Sequence, residues 1–133
     1  MPGKADFSLV IRDMERSVME ALCDACRESL ESIAAVRKLK LSVQQVSWLA
    51  PQRCSQKIIA LLEHEAHRLS IDPLQMPSGA GHDTQFFADV MPSGLIFVPS
   101  VGGISHNPNE NTNWSDIETG ANLLANAIVA LSK

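Results

Sequence analysis

Two loops hold the residues best suited to chemistry. Residues 78–83 read Ser-Gly-Ala-Gly-His-Asp, and residues 104–108 read Ile-Ser-His-Asn-Pro. In the first loop, Gly79 and Gly81 let backbone amides approach a ligand. His82 and Asp83 follow where a short helix is expected, and a helix N-terminus favours anions and carboxylates. Taken alone, the stretch admits three readings: a phosphate loop, a metal loop, or a cap. In the cap reading His82 closes the helix and Asp83 sits in its first turn. In the second loop, His106 lies just beyond the C-terminal end of an apolar run, the edge where α/β sheets place their sites. A neutral imidazole there can ligate a divalent metal or be an ordinary loop residue. A catalytic zinc takes three protein ligands and a water, and a two-metal site takes more. Residues 78–133 offer His82 and His106, with Asp83, Asp89, Glu110 and Asp116 as helpers. That set is too thin for a self-contained metal hydrolase.

Other constellations are weaker. Cys23 and Cys26 have the C-x-x-C spacing of a redox or zinc motif, but they fall mid-way along an expected helix and no second pair follows. Helical packing is the simpler reading, because cysteine is readily buried. His64 and His67 in "HEAH" are three apart, not the four of a zincin helix. Nothing acidic or sulfurous is placed to complete a site with them, so they read as exposed helix histidines. There is no nucleophile elbow, P-loop or dinucleotide fingerprint. Trp48, Trp114 and the four phenylalanines do not interleave with basic residues.

The elements that must position these loops follow from periodicity. Phe7, Leu9 and Ile11 alternate with Ser8, Val10 and Arg12, the pattern of a strand. A helix is expected over about 15–37, with a stripe of Val18, Leu22, Cys26, Leu30 and Ile33. Residues 40–49 read as a second strand. Such a strand-helix-strand unit needs further strands or a partner to cover its sheet. Pro51 marks a boundary near 50–52. A second helix is expected over 52–69, burying Ile58, Ile59, Leu61, Leu62, Ala66 and Leu69. A proline- and glycine-punctuated loop and a short helix beginning near His82 come next. Residues 94–100, "GLIFVPS", form a nearly continuous apolar run, which suits a strand covered on both faces of an α/β sheet. The last helix is expected to start with Ser115 as N-cap and Glu118 closing a capping box. Its stripe is Ile117, Ala121, Leu124, Ile128 and Leu131.

The bulk numbers agree with a globular chain. It has 133 residues, 45% of them hydrophobic and 20% charged, enough for a real core. A net charge of −4 argues against a nucleic-acid partner. No apolar run approaches the length of a membrane span. The start has no apolar stretch leading to a small-residue cleavage site, so it does not read as a signal peptide. An odd set of three cysteines with no such leader points to a reducing, cytoplasmic setting.

In combination the motifs are more specific. "MPSGAGHDTQFF" followed by "PSGLIFVPSVGGISHNPNENTNWSDIETGANLL" resembles the C-terminal catalytic segment of the M20-type amidohydrolases. That group includes N-carbamoyl-L-amino acid hydrolases, allantoate amidohydrolases and β-ureidopropionases. "PGKADFSLVIRD" is similar to the second half of the family's lid, or dimerisation, domain. The resemblance implies an α/β fold in two parts. Residues 1–50 would be a β-α-β half of a ferredoxin-like lid, and residues 51–133 the C-terminal part of a metallopeptidase-like catalytic domain.

It also implies a chemistry. In that family two divalent metals, usually zinc or manganese, activate a bridging water that attacks the ureido or amide carbon of a small N-carbamoyl or ureido substrate. By resemblance His106 matches the last metal ligand. Arg12 matches a lid arginine that grips the substrate carboxylate and typically reaches into the partner subunit's site, so a homodimer is implied. A guanidinium fork suits a carboxylate bidentately. His82, Gly79 and Gly81 match the loop lining the substrate pocket, with Asp83 structural. The family's earlier ligands (a His, a bridging Asp, a Glu and another His) have no counterpart here. Neither does its catalytic glutamate, the first half of its lid or a pocket asparagine. The expectation is therefore a C-terminal third with no catalytic residue of its own. It would be inactive alone, with at most a residual metal site, or completed by a separate N-terminal polypeptide. The alternative is a non-catalytic dimerising module. The substrate and the metal stay open.

Overall fold

The computed structural model describes residues 3–132, so the first residue of the stretch "PGKADFSLVIRD" lies outside the described residues. The chain divides into two units: Met1–Gln52 with Pro77–Gly81, and Arg53–Met76 with His82–Lys133.

The first unit is built on α1, Arg16–Arg37. Asp13 starts it by accepting the Glu15 amide at 2.8 Å. It ends in a left-handed residue, Lys38 at φ 54°. The Lys38 amide bonds Ala35 O and the Leu39 amide bonds Ala34 O, the paired closure of a Schellman motif. The most covered residues of α1 are Met19, Cys23, Cys26, Leu30 and Ala34. They recur at four, three, four and four residues and so make one stripe. Cys26 and Leu30 belong to the stripe expected from sequence, whereas Val18, Leu22 and Ile33 are exposed. Both cysteines of the C-x-x-C are free thiols, half-buried on this stripe.

The flanking segments depart from expectation. Neither 7–11 nor 40–49 is a paired strand, and no strand occurs among the described residues. The helix of the expected β-α-β half-lid is present without its ladder. The physical reason is that a strand exists only through a neighbour that takes its N–H and C=O groups, and two strands alone are marginal.

The second unit pairs α2, Gln56–Arg68, with α4, Trp114–Leu131. Its buried residues are Ala66, Leu123, Ala127 and Glu65. Glu65 is 4% exposed and bonds Arg68 Nη1 at 2.9 Å, which keeps its charge paired. The Ser55 amide donates to Ser93 O at 2.8 Å and ties the start of α2 to the apolar run.

Two glycines set how closely residues 94–98 approach the helices. A Cβ on Gly94 would stand 2.5 Å from Ile58 Cγ2 of α2, and one on Gly120 of α4 would stand 2.5 Å from Val98 Cγ1. Both neighbours are β-branched and stiff at χ1, so neither can swing aside freely. Gly94→Ala is therefore expected to cost about 1–3 kcal/mol through overpacking. The result would show as a lower urea midpoint at unchanged slope.

The run 94–100 is not a strand covered on both faces. Phe97 is 48% exposed and Val98 38%. The helix pair covers one side, and no strand among the described residues pairs with the run. The capping box also moves. Helix α4 starts at Trp114 with Asn113 as N-cap, placing Ser115 inside the first turn. Asn113 is itself a good cap residue, and its Nδ2 donates to Asp116 Oδ2 at 3.2 Å. The stripe expected to be buried on α4 is open: Ile117, Leu124, Ile128 and Leu131 are exposed, while Gly120, Leu123 and Ala127 face inward. No helix among the described residues is long and apolar enough to cross a membrane.

Candidate functional site

The first unit brings together two of the residues singled out from sequence. Arg12 Nη1 donates to Gly79 O at 2.8 Å across 67 positions of chain. The loop that offers this carbonyl is a tight polar turn. The Ala80 amide donates to Ser78 Oγ at 3.2 Å, and Ser78 Oγ lies 3.2 Å from Ala80 O. A side chain on Gly79 would meet open space within this chain. Arg12 is exposed, and the rest of its fork makes no other bond among the described residues. One edge of the guanidinium is thus held by a backbone carbonyl while the other presents donors to solvent. That arrangement can take a carboxylate.

In the second unit, His82 precedes α3, Thr84–Phe87. Its backbone amide donates to Gln85 Oε1 at 3.2 Å. The N-cap position of α3 is Asp83, with no side-chain cap bond, so this contact ties the His82 main chain to the first turn without making His82 the cap. The imidazole does something else. It packs edge-on against Phe97, with ring centroids 5.4 Å apart and planes at 62°. A half-buried ring set against the apolar run is fixed in direction.

His106 stands on the loop between a 3₁₀ turn, Val101–Gly103, and α4. The Val101 amide bonds Asn111 O at 2.7 Å and draws the two ends of this loop together. His106 is exposed and has φ 54°, left-handed backbone for a residue with a Cβ. Its amide donates to Glu110 Oε2 at 2.7 Å, and the Glu110 amide in turn donates to Asn107 O at 2.9 Å. The Asn109 amide donates to Asn107 Oδ1 at 3.0 Å. The His106 amide is thus tied to Glu110, and Glu110 in turn to Asn107. The roles of Glu110 toward His106 and of Phe97 toward His82 were not legible in sequence. Each depends on how a loop or an extended run folds back, and no periodicity signals that.

The donor set decides what metal chemistry these residues hold by themselves. Among the described residues, no group of three or more His, Cys, Asp or Glu side chains could hold a metal ion. One oxygen of Glu110 is already engaged by the His106 amide. The residues present do not make a metal centre.

The sequence matches the family described as Peptidase family M20/M25/M40 over residues 3–130. The chain belongs to this family. It is 32% identical to the N-carbamoyl-L-amino acid amidohydrolase of Geobacillus stearothermophilus, covering 100% of this chain and 32% of that protein. To the allantoate amidohydrolase of Escherichia coli it is 31% identical, over 94% of this chain and 30% of that one. Among solved structures, it is similar to an amidase of the hydantoinase/carbamoylase family from Burkholderia multivorans. That match has a TM-score of 0.80 and 31% identity, and covers 89% of this chain and 29% of the amidase. The amidase of the same family from Burkholderia vietnamiensis matches with a TM-score of 0.79 and 33% identity, over 87% and 28%. The backbone of this M20 chain is thus similar to part of the solved carbamoylase-family amidases, and the chain spans 30–32% of the length of these curated relatives.

Proposed function

We propose that this M20 chain supplies the C-terminal segment of an amidohydrolase. The enzyme would cleave carbon–nitrogen bonds of N-carbamoyl amino acids or allantoate with metal-activated water. The observation that carries this reading is the family match over 3–130 together with relatives named for those two substrates. On this reading residues 1–50 belong to the lid and 51–133 to the catalytic domain. Arg12, steadied by Gly79, grips the substrate carboxylate. His82, Gly79 and Gly81 line the pocket, and His106 contributes one ligand to a metal centre of zinc or manganese. Three free thiols suit a cytoplasmic setting.

The direct test is a chimera. This chain replaces the matched 32% of the G. stearothermophilus enzyme, and hydrolysis of N-carbamoyl-L-amino acids and of allantoate is assayed. Turnover of either substrate is the expected result. A folded, metal-loaded chimera that turns over neither sinks the reading. By itself the 133-residue protein is expected to turn over neither substrate with added Zn²⁺ or Mn²⁺ and to retain sub-stoichiometric metal, because one imidazole does not hold a binuclear centre. Stoichiometric metal and turnover in the isolated chain would contradict this.

One observation favours a second reading, a non-catalytic module that dimerises. In the first unit, Phe7 is 72% exposed, Val10 70% and Val46 91%, on segments with no ladder partner. Unpaired apolar edges promote association. A metal-free homodimer in solution whose graft leaves the chimera inactive would select it.

A further inference from the structure

Ser78 is exposed, yet its hydroxyl lies one peptide unit away from the anchor of Arg12. The Ala80 amide donates to Ser78 Oγ at 3.2 Å, and Arg12 Nη1 donates to Gly79 O at 2.8 Å. That N–H and that C=O belong to the same peptide unit, the one joining Gly79 to Ala80. We propose that Ser78 is a positioning residue for Arg12. Its hydroxyl fixes the Gly79–Ala80 peptide plane, and that plane aims the carbonyl that holds the guanidinium fork toward a substrate carboxylate. The last step, the carboxylate, rests on the amidohydrolase reading.

A peptide unit is planar and trans, so its N–H and C=O point in opposite directions. Fixing one fixes the other. Gly79 lacks the Cβ that would narrow its own backbone dihedrals, so the direction of its carbonyl comes from a neighbour. Serine is suited to that task, because its hydroxyl closes a turn on the backbone two residues on. Here one hydroxyl supplies two restraints. It accepts the Ala80 N–H and donates to Ala80 O at 3.2 Å. These groups stand on either side of the Ala80 Cα, so the hydroxyl braces both peptide units that meet there. Charge strengthens the arrangement. The Arg12 cation on Gly79 O polarises the peptide and makes the Ala80 N–H a better donor to Ser78 Oγ. All of these residues lie within the first unit. An arginine held in place before the ligand arrives loses less side-chain freedom on binding. Arg12 would meet the carboxylate and not the bond that breaks, so the effect falls on KM.

The first readout is NMR of the full chain with isotope-labelled arginine. In the wild type the Arg12 Nη1 and Nη2 signals should be resolved, the mark of slowed guanidinium rotation, and Arg12→Lys identifies them by removing them. Ser78→Ala should merge them, and Ser78→Thr, which keeps a hydroxyl, should leave them resolved. Ser78→Val matches threonine in shape without the hydroxyl, and it should behave as Ser78→Ala does. Circular dichroism checks that each variant keeps its helix content. The second readout is the chimera with the G. stearothermophilus enzyme. There Ser78→Ala should raise KM for N-carbamoyl-L-amino acids roughly threefold to tenfold, the worth of one neutral hydrogen bond, with kcat within about twofold. KM for the corresponding amides, which lack the carboxylate, should hold. Ser78→Thr should restore KM for the acids, and in an Arg12→Ala background Ser78→Ala should add nothing.

The proposal is overturned if the Arg12 signals stay resolved in Ser78→Ala and Ser78→Val. It is also overturned if the effects of Ser78→Ala and Arg12→Ala simply multiply, or if Ser78→Ala weakens acid and amide equally. Failure of the functional reading looks different. Arg12 signals that merge in Ser78→Ala, beside a folded, metal-loaded wild-type chimera that hydrolyses no N-carbamoyl-L-amino acid, remove that reading and leave the hold of Ser78 on Arg12 standing.

Discussion

In the chimera with the G. stearothermophilus enzyme, His106→Ala is expected to cut kcat/KM by roughly 10³-fold and to lower the bound metal. Losing a hydrogen-bonded partner of a metal ligand already costs about 10–100-fold, and the ligand itself is worth more. The backbone at this position sharpens the test. His106 sits at φ 54°, where a non-glycine residue costs about 1–3 kcal/mol. The Glu110 carboxylate on its amide, and the Glu110 amide on Asn107 O, hold it there. Strain of this kind persists only where the surroundings over-determine it.

His106→Gly removes the imidazole and the strain together. It should therefore raise the thermal midpoint while abolishing turnover. His106→Ala should lose turnover without that gain, since alanine keeps the Cβ. Opposite movement of stability and activity is the signature of a residue kept for its side chain against its backbone preference. If His106→Gly retains both metal and turnover, the ligand assignment is wrong. Glu110→Ala gives a milder version, releasing this tie while leaving the ring in place.

How much of this was readable beforehand depended on whether the signal was local. Helices α1, α2 and α4 are each set by three- and four-residue spacing within their own span. All three form close to where the sequence puts them. The face they bury is less local. Helix α1 has apolar residues on two adjoining lines. Met19 and Ala34 are buried in place of the larger Val18, Leu22 and Ile33, because what lies opposite, not side-chain size, selects the line. At α4 the helix begins ahead of the expected Ser115 cap, with Asn113 in the N-cap position and no side chain closing a cap bond. Strands fail for a deeper reason: 7–11, 40–49 and 94–100 have the composition, but pairing is a property of neighbours.

The site divides in the same way. The loops 78–83 and 104–108 were visible as motifs. The contacts that give them meaning join distant positions: Arg12 to Gly79, and His82 to Phe97. The extra apolar stripe on α4 was legible in sequence as a core face. It is instead the wall of an open groove, because the helix pair uses the neighbouring face.

Arg12→Lys in the chimera is expected to raise KM for N-carbamoyl-L-amino acids roughly 10–100-fold with kcat changed far less. A charge-assisted hydrogen bond is worth about 1.5–3 kcal/mol, and each 1.4 kcal/mol is a factor of ten. Charge alone does not explain why arginine should be needed, since lysine keeps it. The geometry does. Arg12 Nη1 is held at 2.8 Å by the Gly79 carbonyl, which fixes the plane of the guanidinium. The remaining donors then point outward in a rigid fork that matches both oxygens of a carboxylate. A lysine ammonium offers three donors from one point. It would have to choose between the Gly79 carbonyl and the ligand, and it would lose more side-chain freedom on binding.

A neutral analogue separates this role from a structural one. N-carbamoyl amino acid amides lack the carboxylate, so the wild-type chimera should discriminate against them. Arg12→Lys should narrow that discrimination, mainly by weakening the acid, and Arg12→Ala should nearly erase it. A variant that merely misfolds the loop would instead lose acid and amide in proportion. Equal losses for the two substrates would remove Arg12 from the carboxylate site and leave its bond to Gly79 as a purely structural tie.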